Sequence, residues 1–99
     1  MILKTCEYKT RENVVDLFTE VEINGTKNKV KFKTFIFNEK ISEIIDKDEK
    51  SLLNLITEEN MTIEISEEDY ELIKRGTLSL PCVVIDLTKK KEDQIDNLF

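Results

Sequence analysis

Two alternating runs joined by Asn24-Gly25 constrain this chain more than any other stretch. From Val15 to Ile23 the side chains Val15, Leu17, Thr19, Val21 and Ile23 point one way, while Asp16, Phe18, Glu20 and Glu22 point the other. A repeat of two is the signature of a strand with one covered face. Asn24-Gly25 is the dipeptide best able to place two consecutive residues at positive φ, and beyond it alternation resumes with Val30, Phe32, Thr34 and Ile36. The stretch 14–37 therefore predicts a long β-hairpin. The remainder of the chain has to cover the face lined by Val15, Leu17, Val21, Val30, Phe32 and Ile36.

The other face of the second strand carries Lys27, Lys29, Lys31 and Lys33 opposite Glu22, Glu20 and Asp16. A two-residue turn sets Glu22 against Lys27, Glu20 against Lys29 and Asp16 against Lys33, whereas a four-residue loop sets Glu22 against Lys29 and Glu20 against Lys31. Both registers pair opposite charges and keep the same apolar face, so charge does not choose between them. A slip by one residue would put lysines into the core, which burial of one face forbids. Exposed ion pairs add little, so the apolar face supplies the stability. Phe18, Phe35 and Phe37 fall on the lysine face in this reading. Part of that face must then be covered, by a helix of the same chain or by a partner.

Ninety-nine residues suit one domain, 1–99, with a modest core. Hydrophobic residues make up 39% and charged residues 36%, spread throughout, so the chain is expected to fold. No apolar run approaches membrane-spanning length, and the first residues lack the plan of a signal peptide. These features predict a soluble cytoplasmic protein. Alanine is missing and lysine, isoleucine and glutamate abound, the bias of an AT-rich genome. With a short chain and no enzyme motif, that fits a viral or mobile-element source, and hence the host cytoplasm. A single glutamine beside plentiful glutamate and lysine is a skew of proteins from hot environments. Seven asparagines oppose it, so thermostability stays open.

A formal charge of −6 disfavours general affinity for nucleic acid, which rests on a positive surface. Cys6 and Cys82 match no metal or redox spacing and are read as buried free thiols, with a disulfide between them left open.

Around the hairpin, Ile2 to Tyr8 is expected to be a first strand with Ile2, Cys6 and Tyr8 on one face, followed by a turn at Thr10-Arg11-Glu12-Asn13. Asn38 is the expected N-cap of a helix carrying Ile41, Ile44 and Ile45. The charged run 46–50 suggests either a second helix capped by Asp48 or one bent helix reaching Thr57. Leu52, Leu53, Leu55 and Ile56 cover more than half of this helix's circumference, which calls for burial or an oligomer interface. Glu58-Glu59-Asn60 reads as a turn and Met61 to Ile65 as a strand. Ser66-Glu67-Glu68-Asp69 opens a capped helix that Gly76 ends. Cys82 to Leu87 is a continuous apolar run, expected as a strand buried on both faces. Together, 61–87 suggest a βαβ unit, with an antiparallel return left open.

The fold class that results is α+β: a mainly antiparallel sheet built on the 14–37 hairpin, with helices packed on one face. No catalytic, cofactor or metal site is expected. Asp46, Asp48 and Glu49 lack the glycine and glutamate of a calcium loop, which are Ser51 and Thr57 here. Glu67, Glu68 and Asp69 suit a helix N-terminus. Asp86 ends an apolar strand, where α/β sites often lie, but there is no histidine, nucleophile–base spacing or phosphate loop to accompany it. The expected function is noncatalytic: binding of a protein partner, a host protein if the chain is viral. Self-association as a homodimer is also expected, with Phe35, Phe37, Leu52, Leu53, Leu55 and Ile56 as the interaction surface. The alternative is a regulator that tracks a nucleic-acid backbone with Lys27, Lys29, Lys31 and Lys33.

The tail, Lys89 to Phe99, is expected to add a last helix whose Ile95, Leu98 and Phe99 pack on the sheet. Its final six residues, Gln94-Ile95-Asp96-Asn97-Leu98-Phe99, also resemble the short peptides by which proteins dock on DNA sliding clamps. Leu98 and Phe99 fit the apolar pair, and Gln94 stands one residue further upstream than in the bacterial pattern. The resemblance implies a docking role for Gln94, Leu98 and Phe99.

Overall fold

The computed structural model describes residues 1–88, so the tail, with Gln94, Leu98 and Phe99, lies outside the described residues. The fold is α+β. Five strands, β1 (Ile2–Arg11), β2 (Val14–Ile23), β3 (Thr26–Ile36), β4 (Thr62–Glu64) and β5 (Val83–Asp86), form one mixed sheet in the order β4-β1-β2-β3-β5. Helices α1 (Ile41–Lys47), α2 (Glu49–Leu55) and α3 (Glu67–Lys74) cover one face, and a single 3-10 turn, Glu58–Met61, leads into β4.

The hairpin of β2 and β3 closes with a two-residue turn. Asn24 and Gly25 both take positive φ, 50° and 81°, and Ile23 faces Thr26. The tip therefore follows the shorter register, with Glu22 facing Lys27 and Glu20 facing Lys29. Further along, Phe18 faces Lys31 while Leu17 faces Lys33, so Phe32 is an extra residue on β3. Such a β-bulge reverses the facing of everything after it relative to simple alternation. Phe32, Phe35 and Phe37 all enter one core cluster with Val15 and Leu17. Thr34 turns to the opposite face, where its hydroxyl donates to Asp16 Oδ1 at 2.7 Å, and Asp16 faces Thr34 rather than Lys33. Ile36 shares that face by alternation with Thr34. The expected placement of Phe35 and Phe37 on the lysine face, and of Thr34 and Ile36 on the core face, is corrected by this one inserted residue.

A second bulge lies across β2. In β1, Thr5 faces Thr19 and Glu7 faces Phe18, leaving Cys6 unpaired. The shift moves Tyr8 off the face of Cys6 and towards the helices, where its hydroxyl donates to Glu49 Oε1 at 3.4 Å. Leu3 supplies the core residue of this strand. Cys6 and Cys82 are both free and both exposed, contrary to the buried thiols expected. Cys6 is put outside by its bulge and Cys82 lies ahead of an edge strand.

Helices α1 and α2 are short and separate. The Asp48 carboxylate accepts from the Lys50 amide at 3.0 Å and caps α2, which selects the two-helix arrangement over one bent helix. The cap of α1 differs from expectation: Lys40, not Asn38, is the N-cap residue, and it makes no side-chain capping bond. The turn between β1 and β2 substitutes for it, since the Ile41 amide donates to Glu12 O at 2.6 Å and Asn13 Nδ2 donates to Phe37 O at 2.9 Å. Ile41, Ile44, Leu52 and Ile56 are the buried residues of this segment and close the first core cluster over Phe32, Phe35 and Phe37. Helix α3 starts as its sequence dictates, with Ser66 Oγ accepting from the Asp69 amide at 3.1 Å, and Gly76 follows it at φ 73°. Lys74 O accepts from the Asn24 amide at 2.9 Å, tying the helix end to the hairpin tip. A second cluster, Leu3, Val21, Ile73 and Leu80, fills the space beneath α3.

The strands flanking α3 are not a parallel pair. β4 runs antiparallel to β1 at one edge of the sheet, and β5 runs parallel to β3 at the other. The expected βαβ unit is thus replaced by a crossover spanning the whole sheet. Nor is β5 buried on both faces: Val83 is 46% and Val84 60% exposed, and only Ile85 packs against the first cluster.

A buried polar pair, Asp16 and Thr34, sits on the open face. Asp16, largely shielded from solvent, accepts from Thr34 and pairs with Arg11 at 3.4 Å. Thr34→Val would leave this carboxylate without its buried donor, and is expected to cost about 1–3 kcal/mol in urea unfolding. The double variant Asp16→Val, Thr34→Val is expected to cost less than the sum of the two single changes. Additive losses would show that the two side chains do not depend on each other.

Candidate protein-binding groove

The lysines of β3 do not form one stripe. Lys27 Nζ lies 3.7 Å from Glu20, and Lys29 Nζ lies 3.1 Å from Glu7 of the neighbouring β1. The hydrogen bond and charge of Glu7 hold the Lys29 ammonium above its ordinary pKa. Lys31 remains on this face, exposed. Lys33 does not, because the bulge at Phe32 sends it to the helical side, where its ammonium donates to Thr62 O at 3.1 Å. Partial burial there lowers the Lys33 pKa, opposed by the nearby Glu59 carboxylate. The glutamate partners of Lys27 and Lys29 and the turning away of Lys33 break the four-lysine track that simple alternation predicts.

The carboxylates considered for chemistry have structural duties. Asp48 caps α2, and Glu67, Glu68 and Asp69 occupy the first turn of α3. Asp86 Oδ1 accepts from the Thr88 amide at 2.9 Å and from the Thr88 hydroxyl, closing a turn after β5.

The residues expected to form an interaction surface separate into two sets. Phe35, Phe37, Leu52 and Ile56 are buried in the first core cluster, whereas Leu53 and Leu55 are 41% and 51% exposed. Burial of the first set follows from the bulge for the phenylalanines. For α2 it follows from helix geometry: Leu52 and Ile56, four apart, share the face turned to the sheet. Leu53 and Leu55 flank that face.

Leu55 is one wall of a groove of about 500 Å³ between α1, α2 and the end of β5. Phe37 and Ile44, both buried, form its base, and Leu87 is an exposed wall opposite. Asn38, Glu39, Lys47 and Ser51 provide a polar margin, in which Lys47 Nζ and Glu39 Oε2 stand 3.3 Å apart. An apolar base with convergent polar groups at the edge is the usual form of a site for a hydrophobic side chain and the peptide groups beside it. Of the groove's lining, the sequence points to Leu55 and Phe37 as site residues but not to Asn38, Glu39, Ile44, Lys47, Ser51 or Leu87. Ile44 was legible as part of an apolar helix face, and Leu87 as the end of an apolar run. Their meeting depends on β5 docking beside β3, for which the chain carries no local signal.

Comparison with protein families, with characterised proteins and with solved structures finds no match to this chain. Among the described residues, no helix is long and apolar enough to cross a membrane.

Proposed function

We propose that this chain is a noncatalytic protein-binding module, and that it takes an apolar side chain of its protein partner into the groove between α1, α2 and β5. The observation that carries the reading is the pairing of two exposed leucines, Leu55 and Leu87, over a base of Phe37 and Ile44. Exposed apolar walls converging on one groove lose water contact when a partner fills it, at roughly 1.5–3 kcal/mol for each large side chain fully covered. The polar margin suits the partner's main chain, since Asn38 and Ser51 can both donate and accept hydrogen bonds.

Leu55→Glu tests the reading. The position is half exposed, so the variant is expected to unfold within about 0.5 kcal/mol of the parent. It should nevertheless lose a protein that the parent retains in pull-downs from the source cell. Retention of the same protein by both would overturn the groove as the binding site. A titration with DNA or RNA at rising salt checks the nucleic-acid alternative, because binding through phosphate contacts weakens steeply with salt. The expected result is no salt-sensitive binding.

A further inference from the structure

The groove draws on Leu87 just beyond β5 and leaves the outer edge of the strand itself unused. Among the described residues no strand pairs with the outer edge of β5, and we infer that this edge pairs antiparallel with β5 of a second copy, joining two five-stranded sheets across a two-fold axis at Val84. This goes beyond the groove reading and stands without it.

The edge geometry comes first. β5 is terminal in the sheet, paired on one side with β3, where Lys33 faces Val83, Thr34 faces Val84 and Phe35 faces Ile85. The Leu87 amide donates to Ile36 O at 2.8 Å, which fixes the odd-numbered residues as those whose main chain turns towards β3. Main-chain groups alternate along a strand, so the N–H and C=O of Val84 point away from the sheet. Edge strands are normally guarded by lysines, inward charges or shortness. Both edge strands are short, but the opposite edge has further guards: β4 carries Glu64 and has Lys33 reaching to its Thr62 carbonyl. β5 has Val83 and Val84, the latter 60% exposed, and no charge before Asp86.

The choice of a second copy rests on self-complementarity. With the axis at Val84 and perpendicular to the sheet, Val83 of one copy faces Ile85 of the other, Val84 faces Val84, and Cys82 faces Asp86. Side chains of each pair lie on the same face, as an antiparallel ladder requires, and no like charges meet. An axis at Ile85 would instead set Asp86 against Val84. The apolar triplet Val83-Val84-Ile85 is thus its own complement in one register.

Sedimentation equilibrium of the full chain tests the assignment. At high micromolar concentration the parent should show twice its 11.6 kDa mass. Val84→Lys and Val84→Glu each set like charges face to face across the axis and should weaken the dimer at least about tenfold. Val84 is exposed, so circular dichroism should show an unchanged fold for both variants. An equimolar mixture of the two variants should regain the doubled mass, because opposite charges then face each other. Leu55→Glu should leave the dimer intact, which keeps this result separate from the groove. A monomeric parent, a dimer that survives Val84→Lys, or a mixture that stays monomeric would each overturn the pairing.

Discussion

Replacing either Phe32 or Phe35 by alanine is expected to cost about 3–5 kcal/mol, whereas Lys31→Glu should stay within about 0.5 kcal/mol. Both rings are fully buried in one cluster, although they stand three apart on a strand, where alternation would send them to opposite faces. The extra residue at Phe32 reconciles the two facts, because it shifts the pairing from Phe18 with Lys31 to Leu17 with Lys33. A domain with about 5–15 kcal/mol of total stability would be left near its unfolding limit by either loss. Phe32→Lys, which adds an unpaired charge at a buried site, should abolish folding outright. Urea melts of Phe32→Ala, Phe35→Ala and Lys31→Glu measure the contrast. A mild Phe35→Ala beside a severe Phe32→Ala would mean a regular strand and no bulge.

That bulge marks where the sequence stops being legible. The turn at Asn24-Gly25, the Ser66 cap of α3, the Asp48 cap of α2 and the glycine stop at Gly76 are each determined within a few residues, and each is found where the pattern places it. Bulges at Cys6 and Phe32 carry no glycine to announce them. They flank the same part of β2, between Leu17 and Thr19, and their position is set by how three strands fit one core. The consequence spreads to function, since the same reversal takes Phe35 and Phe37 out of a supposed interaction surface and Lys33 out of a supposed phosphate track. The apolar run 82–87 failed for a different reason. Continuous hydrophobicity is consistent with burial on two faces, yet in β5 Val83 and Val84 stay exposed and only Ile85, partly buried, packs against the core. The composition of a strand does not encode which of its faces other elements will cover. The cap of α1 is likewise supplied by a distant turn, through Glu12 O, which no reading of residues 38–41 reveals.

Helix α2 offers the sharpest division between stability and binding. Leu52→Ala is expected to cost about 2–5 kcal/mol, because the side chain is fully buried against the first core cluster and its removal leaves a cavity. Leu55→Ala, three residues on, should cost no more than about 0.5 kcal/mol, since its side chain is half exposed. Their angular separation on the helix is enough to set one beneath it and the other at the groove, with the Ile56 amide bonded to Leu52 O at 3.0 Å holding the last turn in place. Under the proposed function the order reverses for binding: Leu55→Ala weakens partner capture while the folded fraction of Leu52→Ala still binds. Comparing each variant's urea midpoint with its capture of the partner separates the two quantities. Equal destabilisation by the two substitutions would place Leu55 beneath the helix, and the groove would lose the wall on which the binding assignment depends.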